Sequence, residues 1–142
     1  MSNFKFGKTS RQRMKGLHPS FLLVLNKAIE ESKVDFGIAS GVRTAEEQHE
    51  KYMKGLSELD GYKRKSKHQI QEDGYGHAVD IYIWDRENKK GLFDYTKENG
   101  WMWLEVGRAI LRASRLLNIP ITWGLTFNIG NGYDIGHFEL KD

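Results

Sequence analysis

Ala78-Val79-Asp80-Ile81-Tyr82-Ile83-Trp84 is the stretch on which the fold turns. Val79, Ile81 and Ile83 alternate with Ala78, Asp80 and Tyr82, which is the period of a strand with one face on a core. Upstream, Pro19 and Ser20 open a stretch from Phe21 to Glu31 with Leu22, Leu25 and Ile29 on one helical face. Val34, Phe36 and Ile38 then alternate with Asp35, Gly37 and Ala39 as a second strand. Thr44 and Glu47 have capping-box spacing, so a helix is expected from there to about Gly55. Residues 56–77 read as a long polar loop, basic at Lys63, Arg64, Lys65 and Lys67, and glycine-bearing at Gly74 and Gly76. Downstream, Thr96 to Asn118 is the longest expected helix, with Trp103, Val106, Ile110 and Leu117 as its stripe and Ile119-Pro120 as its stop. Ile121, Trp123 and Leu125 suggest another strand, and Ile135 to Leu140 a last one after a turn-rich run at 128–132. Helices mixed with strands and long loops predict one α+β domain over residues 1–142, its helices packed on a small, mostly antiparallel sheet.

Composition narrows the chemistry. The chain has 142 residues, 39% of them hydrophobic, and no cysteine, so thiol nucleophiles, disulfides and Cys-ligated zinc are excluded. Any metal must be held by His, Asp or Glu. Residues 1–70 carry 14 Lys and Arg against 8 Asp and Glu, while the rest carry 8 against 11. A basic half suits an anionic polymer, but nucleic-acid motifs are missing and no nucleic-acid partner is expected. The opening residues lack the apolar segment of a secretory signal, and no apolar run would anchor the chain in a membrane. Phosphate-binding loops and the Gly-x-Ser-x-Gly elbow are likewise missing, which argues against nucleotide and serine-hydrolase chemistry.

Five histidines remain: His18, His49, His68, His77 and His137. His18 precedes a helix and His49 lies within one, and both read as surface or packing residues. The other three lie near carboxylates. Asp80 points away from the Val79, Ile81 and Ile83 core and needs a cation or hydrogen bonds. His137 is out of phase with Phe138 and Leu140, so it can share a cleft with Asp80. Asp134 cannot share a strand face with His137 and belongs on the preceding turn, where Gly136 gives the backbone latitude. Spacing alone leaves two readings open: a metal bridging neighbouring strands, or a satisfied Asp80–His137 polar pair.

Four motifs in order, Ser40-Gly41-Val42-Arg43-Thr44, Ser66-Lys67-His68, Gly76-His77-Ala78-Val79-Asp80-Ile81 and Asp134-Ile135-Gly136-His137-Phe138-Glu139-Leu140, resemble the zinc D-alanyl-D-alanine carboxypeptidase family. The closest likeness is to its phage endolysin branch of L-alanyl-D-glutamate peptidases. The resemblance implies a hedgehog-like α+β fold and one zinc ion held by His68, Asp80 and His137. It implies Asp134 as catalytic base and Arg43 as a residue acting on substrate or transition state. It further implies a monomer acting on peptidoglycan stem peptides, made in the host cytoplasm and reaching the wall after release. A D-Ala-D-Ala carboxypeptidase and a non-catalytic, zinc-containing wall-binding module are the alternatives. The family writes its first motif compactly, as Ser-x-His-x-x-Gly-x-Ala-x-Asp, whereas eleven residues separate His68 from Asp80 here. An insertion between Gln69 and Gly74 is therefore expected, and His77 is the rival ligand. Glu139, on the His137 face, is expected either to support that histidine or to form a structural salt bridge.

Overall fold

The computed structural model describes residues 4–124 and 134–141. Within them the chain runs α1 (Lys8–Arg13), α2 (Pro19–Glu31), β1 (Phe36–Ser40), α3 (Ala45–Met53), β2 (Ala78–Asp85), β3 (Lys90–Leu92), α4 (Gly100–Leu117), β4 (Ile121–Trp123) and β5 (His137–Leu140). The strands form one antiparallel sheet in the order β1-β2-β5-β4, with β3 also paired to β2. The expected α+β class is what folds, and the alternation in β2 gives its faces. Val79, Ile81 and Ile83 are buried with Phe138, Leu140, Ile121 and Trp123 against Val24, Leu25, Ile29, Trp103, Val106 and Ile110 of the helices. Asp80, Tyr82 and Trp84 turn to the opposite face and are only partly buried.

Register fixes where the site can be. Ile83 pairs with both Phe36 and Leu92, and Asp80 pairs with both Ser40 and His137. β3 and β5 therefore share the edge of β2 that β1 does not occupy. One takes residues 83–85 and the other 78–80, and the sheet is open between them. On the other edge of β2 the ladder slips between Ile38 and Ser40. This bulge brings Ser40, rather than Ala39, opposite Asp80.

Several expectations are adjusted by local physics. α4 starts at Gly100 rather than Thr96, because Thr96 and Asn99 exchange side-chain-to-backbone hydrogen bonds of 2.7 and 3.1 Å ahead of it. Asn118, left-handed at φ 56°, ends it just before Ile119-Pro120, and Leu117 lies off the buried stripe at 37% exposure. β1 begins at Phe36, with Val34 buried in the preceding turn, and β5 begins at His137, after a turn at 135–136. The expected Leu125 end of β4 lies outside the described residues. α3 has the full capping box, with Glu47 N to Thr44 Oγ1 at 3.0 Å and Thr44 N to Glu47 Oε1 at 2.9 Å. Two elements carry no hydrophobic period and were not expected. α1 serves β1 through polar bonds: Ser10 Oγ accepts the Ile38 N–H at 3.0 Å and Arg13 donates to the Ile38 carbonyl at 2.9 Å. That covers the exposed edge of the sheet. β3, Lys90–Leu92, is three residues long, too short for an alternation to show.

α4 lies close on β4 because Gly107 has no side chain; a Cβ there would fall within the Trp123 ring. Trp123 Nε1 is tied to the Ile135 carbonyl at 2.7 Å, and the ring stacks on Phe138, so it cannot step aside freely. Gly107→Ala gains about 1 kcal/mol of helix propensity but costs about 3 kcal/mol in overpacking. A net loss of roughly 2 kcal/mol is expected, seen as a Tm lowered by about 6 °C. An unchanged or raised Tm would show that the helix can move off the sheet.

Candidate metal centre and active-site cleft

Three strands and one loop converge on the Asp80 carboxylate. Oδ1 faces His137 Nδ1 at 3.0 Å across the β2–β5 pair. Oδ2 is 3.3 Å from His68 Nε2 and accepts from Arg43 Nη2 at 2.8 Å. His68, Asp80 and His137 each offer one donor atom, and all three atoms lie within 4.8 Å of one another. This group could hold a metal ion.

The outer nitrogens of both imidazoles decide whether the group suits a cation. His68 Nδ1 lies 2.8 Å from the Gly41 carbonyl, which only accepts, so that nitrogen carries the proton. His137 Nε2 lies 2.8 Å from Glu139 Oε1, and Glu139 Oε2 is paired with Lys67 Nζ at 3.0 Å. Burial opposes ionisation of Glu139, but its bonds to His137 and Lys67 outweigh that and lower its pKa, so it too accepts. Each neutral imidazole therefore presents a lone pair to an anionic carboxylate. Two lone pairs around a carboxylate repel it unless a proton or a metal cation lies between them. With protons alone, burial would lower the His137 pKa, yet hydrogen bonds to Asp80 and Glu139 push it up to about 9. Asp80 shows the reciprocal effect. Burial would raise its pKa, but hydrogen bonds from His137 and His68 hold the carboxyl far below the usual range. The donor set fits a divalent cation: two oriented imidazoles, one carboxylate and a carbonyl or carboxylate behind each ring. Glu139 serves at once as support for His137 and as a salt-bridge partner.

His77 is not in this group. It has the strand parity of Val79 and Ile81, and its Nε2 meets Asp73 Oδ2 at 2.7 Å. His18 approaches the same oxygen at 3.9 Å, while its Nδ1 caps α2 by accepting from Ser20 N at 3.0 Å. Leu17 and Gly76 form an isolated parallel bridge beside them. The loop residues between His68 and β2 are thus fastened to the start of α2. His49 is occupied by the Asp60 carbonyl at 2.9 Å.

Arg43 enters from the irregular segment between the β1 bulge and α3. Its side chain is 11% exposed and donates to Ser40 Oγ at 3.1 Å, Gln48 Oε1 at 3.0 Å and Asp80. All three arms of the planar guanidinium are used, an arrangement lysine cannot copy. Buried Gln48, which helps to hold it, carries no motif signal, and Ser40 opens the first motif without that motif marking its contact with Arg43. Asp134 lies at the turn before β5 and lines, with Asp80, Ile81, Ala39, Ile135, Gly136 and the 93–95 segment, a cleft of about 300 Å³. Burial, and then repulsion from Asp80, raise the Asp134 pKa against the attraction of His137, His68 and Arg43. The expected backbone latitude at Gly136 is not the reason for that glycine, whose φ is not positive. A Cβ there would sit 2.9 Å from the Ile81 carbonyl, so glycine lets the turn lie directly on β2.

The profile of the phage L-alanyl-D-glutamate peptidase family matches residues 1–140. The L-alanyl-D-glutamate peptidase of Escherichia phage T5 is 31% identical over 142 residues, spanning 98% of this chain and 90% of that protein. The crystal structure of the Serratia marcescens L-Ala D-Glu endopeptidase ChiX has a TM-score of 0.76 at 25% identity, covering 98% of this chain and 91% of that one. Likeness in sequence and in fold extends over the strands and the loop that meet at Asp80, and the chain belongs to the phage L-alanyl-D-glutamate peptidase family.

Proposed function

We propose that this protein is a zinc-dependent endolysin, a peptidoglycan hydrolase that cleaves the L-alanyl-D-glutamate bond of stem peptides in one catalytic domain spanning residues 1–142. The observation that carries the reading is the convergence of His68, Asp80 and His137, each histidine with an acceptor on its far nitrogen. Two imidazoles and one carboxylate without cysteine are the donors of catalytic zinc sites, which keep a further position open. Zinc in such a site supplies Lewis acidity, polarising the scissile carbonyl and making water nucleophilic near neutral pH.

The chain's own residues then have distinct tasks. Asp134, at the cleft wall and with its proton affinity raised, takes the proton of the attacking water and delivers it to the departing D-glutamyl amine. Arg43 holds Asp80 ionised and oriented, and its charge also acts on Asp134 and on negative charge developing in the cleft. Lys67 and Glu139 keep the His137 ring in one tautomer. No helix among the described residues is long and apolar enough to cross a membrane. The protein is taken to work as a monomer on the wall, after release from the cytoplasm in which it is made.

Mass spectrometry of fragments released from purified peptidoglycan tests the bond: new D-glutamyl N-termini are expected, whereas release of terminal D-alanine would favour the carboxypeptidase reading. Binding without any release would make the chain a wall-binding module. Metal analysis should find one zinc per chain, lost in His68→Ala and His137→Ala and kept in His77→Ala; loss in the His77 variant alone would overturn the ligand set. Asp134→Asn should keep its zinc and its Tm but lose wall lysis by roughly 10²–10⁴-fold. Near-normal turnover in that variant would remove Asp134 from the chemistry.

A further inference from the structure

The face of β2 that carries Asp80 continues into an aromatic surface. Tyr82 is the next residue along on that face, and its cross-strand partner in β1 is Gly37. A Cβ on Gly37 would stand 2.5 Å from the Tyr82 Cζ, and one on Gly91 in β3 would stand 3.3 Å from Tyr82 Cδ2 and 2.9 Å from Phe93 Cε1. Two strands flanking β2 thus carry glycine where the rings lie, and the Tyr82 ring rests in the trough they leave. The β2–β3 register, continued one step past Ile83 and Leu92, sets Phe93 across from Tyr82. The two rings stack with centroids 4.9 Å apart and planes 24° from parallel. Phe93 is 61% exposed and Tyr95 58% exposed. Both line the cleft that contains Asp80 and Asp134. A stacked pair of rings, with Phe93 at the wall of the cleft, presents apolar surface to whatever extends from the scissile bond.

We propose that the Tyr82–Phe93 stack is a saccharide subsite that seats the N-acetylmuramyl ring from which the stem peptide hangs. The proposal rests on the L-alanyl-D-glutamate reading above. In that substrate the L-alanyl residue is joined through a lactyl group to the sugar, so two residue-length units separate the scissile carbonyl from the pyranose. Extended, they span about 7 Å. Asp80 and Tyr82, two positions apart on one strand, are separated by about the same distance. A pyranose offers a face of weakly positive C–H groups, which suits the negative face of an aromatic ring. Flat contact of this kind recognises the sugar without demanding a charge.

Cleavage of a disaccharide tetrapeptide should be compared with cleavage of the same tetrapeptide lacking sugar, in the zinc-loaded full chain. The protein should prefer the sugar-bearing substrate, and Phe93→Ala should reduce that preference, as a ratio of kcat/KM, by about tenfold and mainly through KM. An unchanged ratio would overturn the subsite. The peptide-free disaccharide alone, titrated into the unmutated protein and followed by NMR, should shift the ring resonances of Tyr82 and Phe93. No binding, or shifts confined to another surface, would equally overturn it. If neither peptide substrate is cut, the L-alanyl-D-glutamate reading fails, and the disaccharide titration still decides the subsite.

Discussion

A carboxylate on an inner strand of a sheet holds its charge only when neighbouring elements answer it, and Asp80 is answered from three directions. The β1 bulge brings Ser40 opposite Asp80 and leads the chain into Arg43. β5 sets His137 directly across the ladder, and the polar loop brings His68 in from outside the sheet. Each of these groups is fixed in turn by something further out: Gln48 for Arg43, the Gly41 carbonyl for His68, Glu139 and Lys67 for His137. A ring of paired charges this closely bonded resists rearrangement, because moving one member leaves another unpaired.

The cleft arises from the same register. β3 and β5 share one edge of β2 but stop short of each other, so the middle of that edge is met only by the segments leaving them. Ile81 N reaches the Gly136 carbonyl at 2.8 Å there, and no complete ladder covers the gap. Asp134 arrives on one leaving segment and Phe93 to Tyr95 on the other. Beneath them Trp103, Phe138 and Ile83 are fully packed. The cleft is thus built over a closely packed floor, as precise positioning requires.

Much of this was legible in the residue pattern. Alternation in 78–84 put Asp80 off the core face, phase put His137 beside it, and the Thr44 box placed α3. The path of the loop after His68 is not legible in the pattern, because a loop's destination depends on distant partners such as His18 and the Gly16–Leu17 backbone. α1 has no periodic signature because it satisfies an edge strand through polar bonds rather than burying a stripe. The Ser40 bulge leaves no mark in a two-residue period until both strands are paired. At Gly136 the constraint is proximity to β2 rather than backbone rotation, and a one-residue spacing argument cannot tell the two apart.

The fastening of the loop between His68 and β2 separates the position of the imidazole from the length of that loop. His68 is held by Gly41 on one side, and the chain leaving it is secured at Gly76, where Gly76 N donates to the Gly16 carbonyl at 2.8 Å and His18 N to the Gly76 carbonyl at 3.0 Å. Between those two moorings the number of residues has little influence on where the imidazole sits, and lengthening a loop costs little chain entropy. The metal-facing geometry of His68 is therefore set by its two moorings, and the loop between them could be longer or shorter without moving the ring.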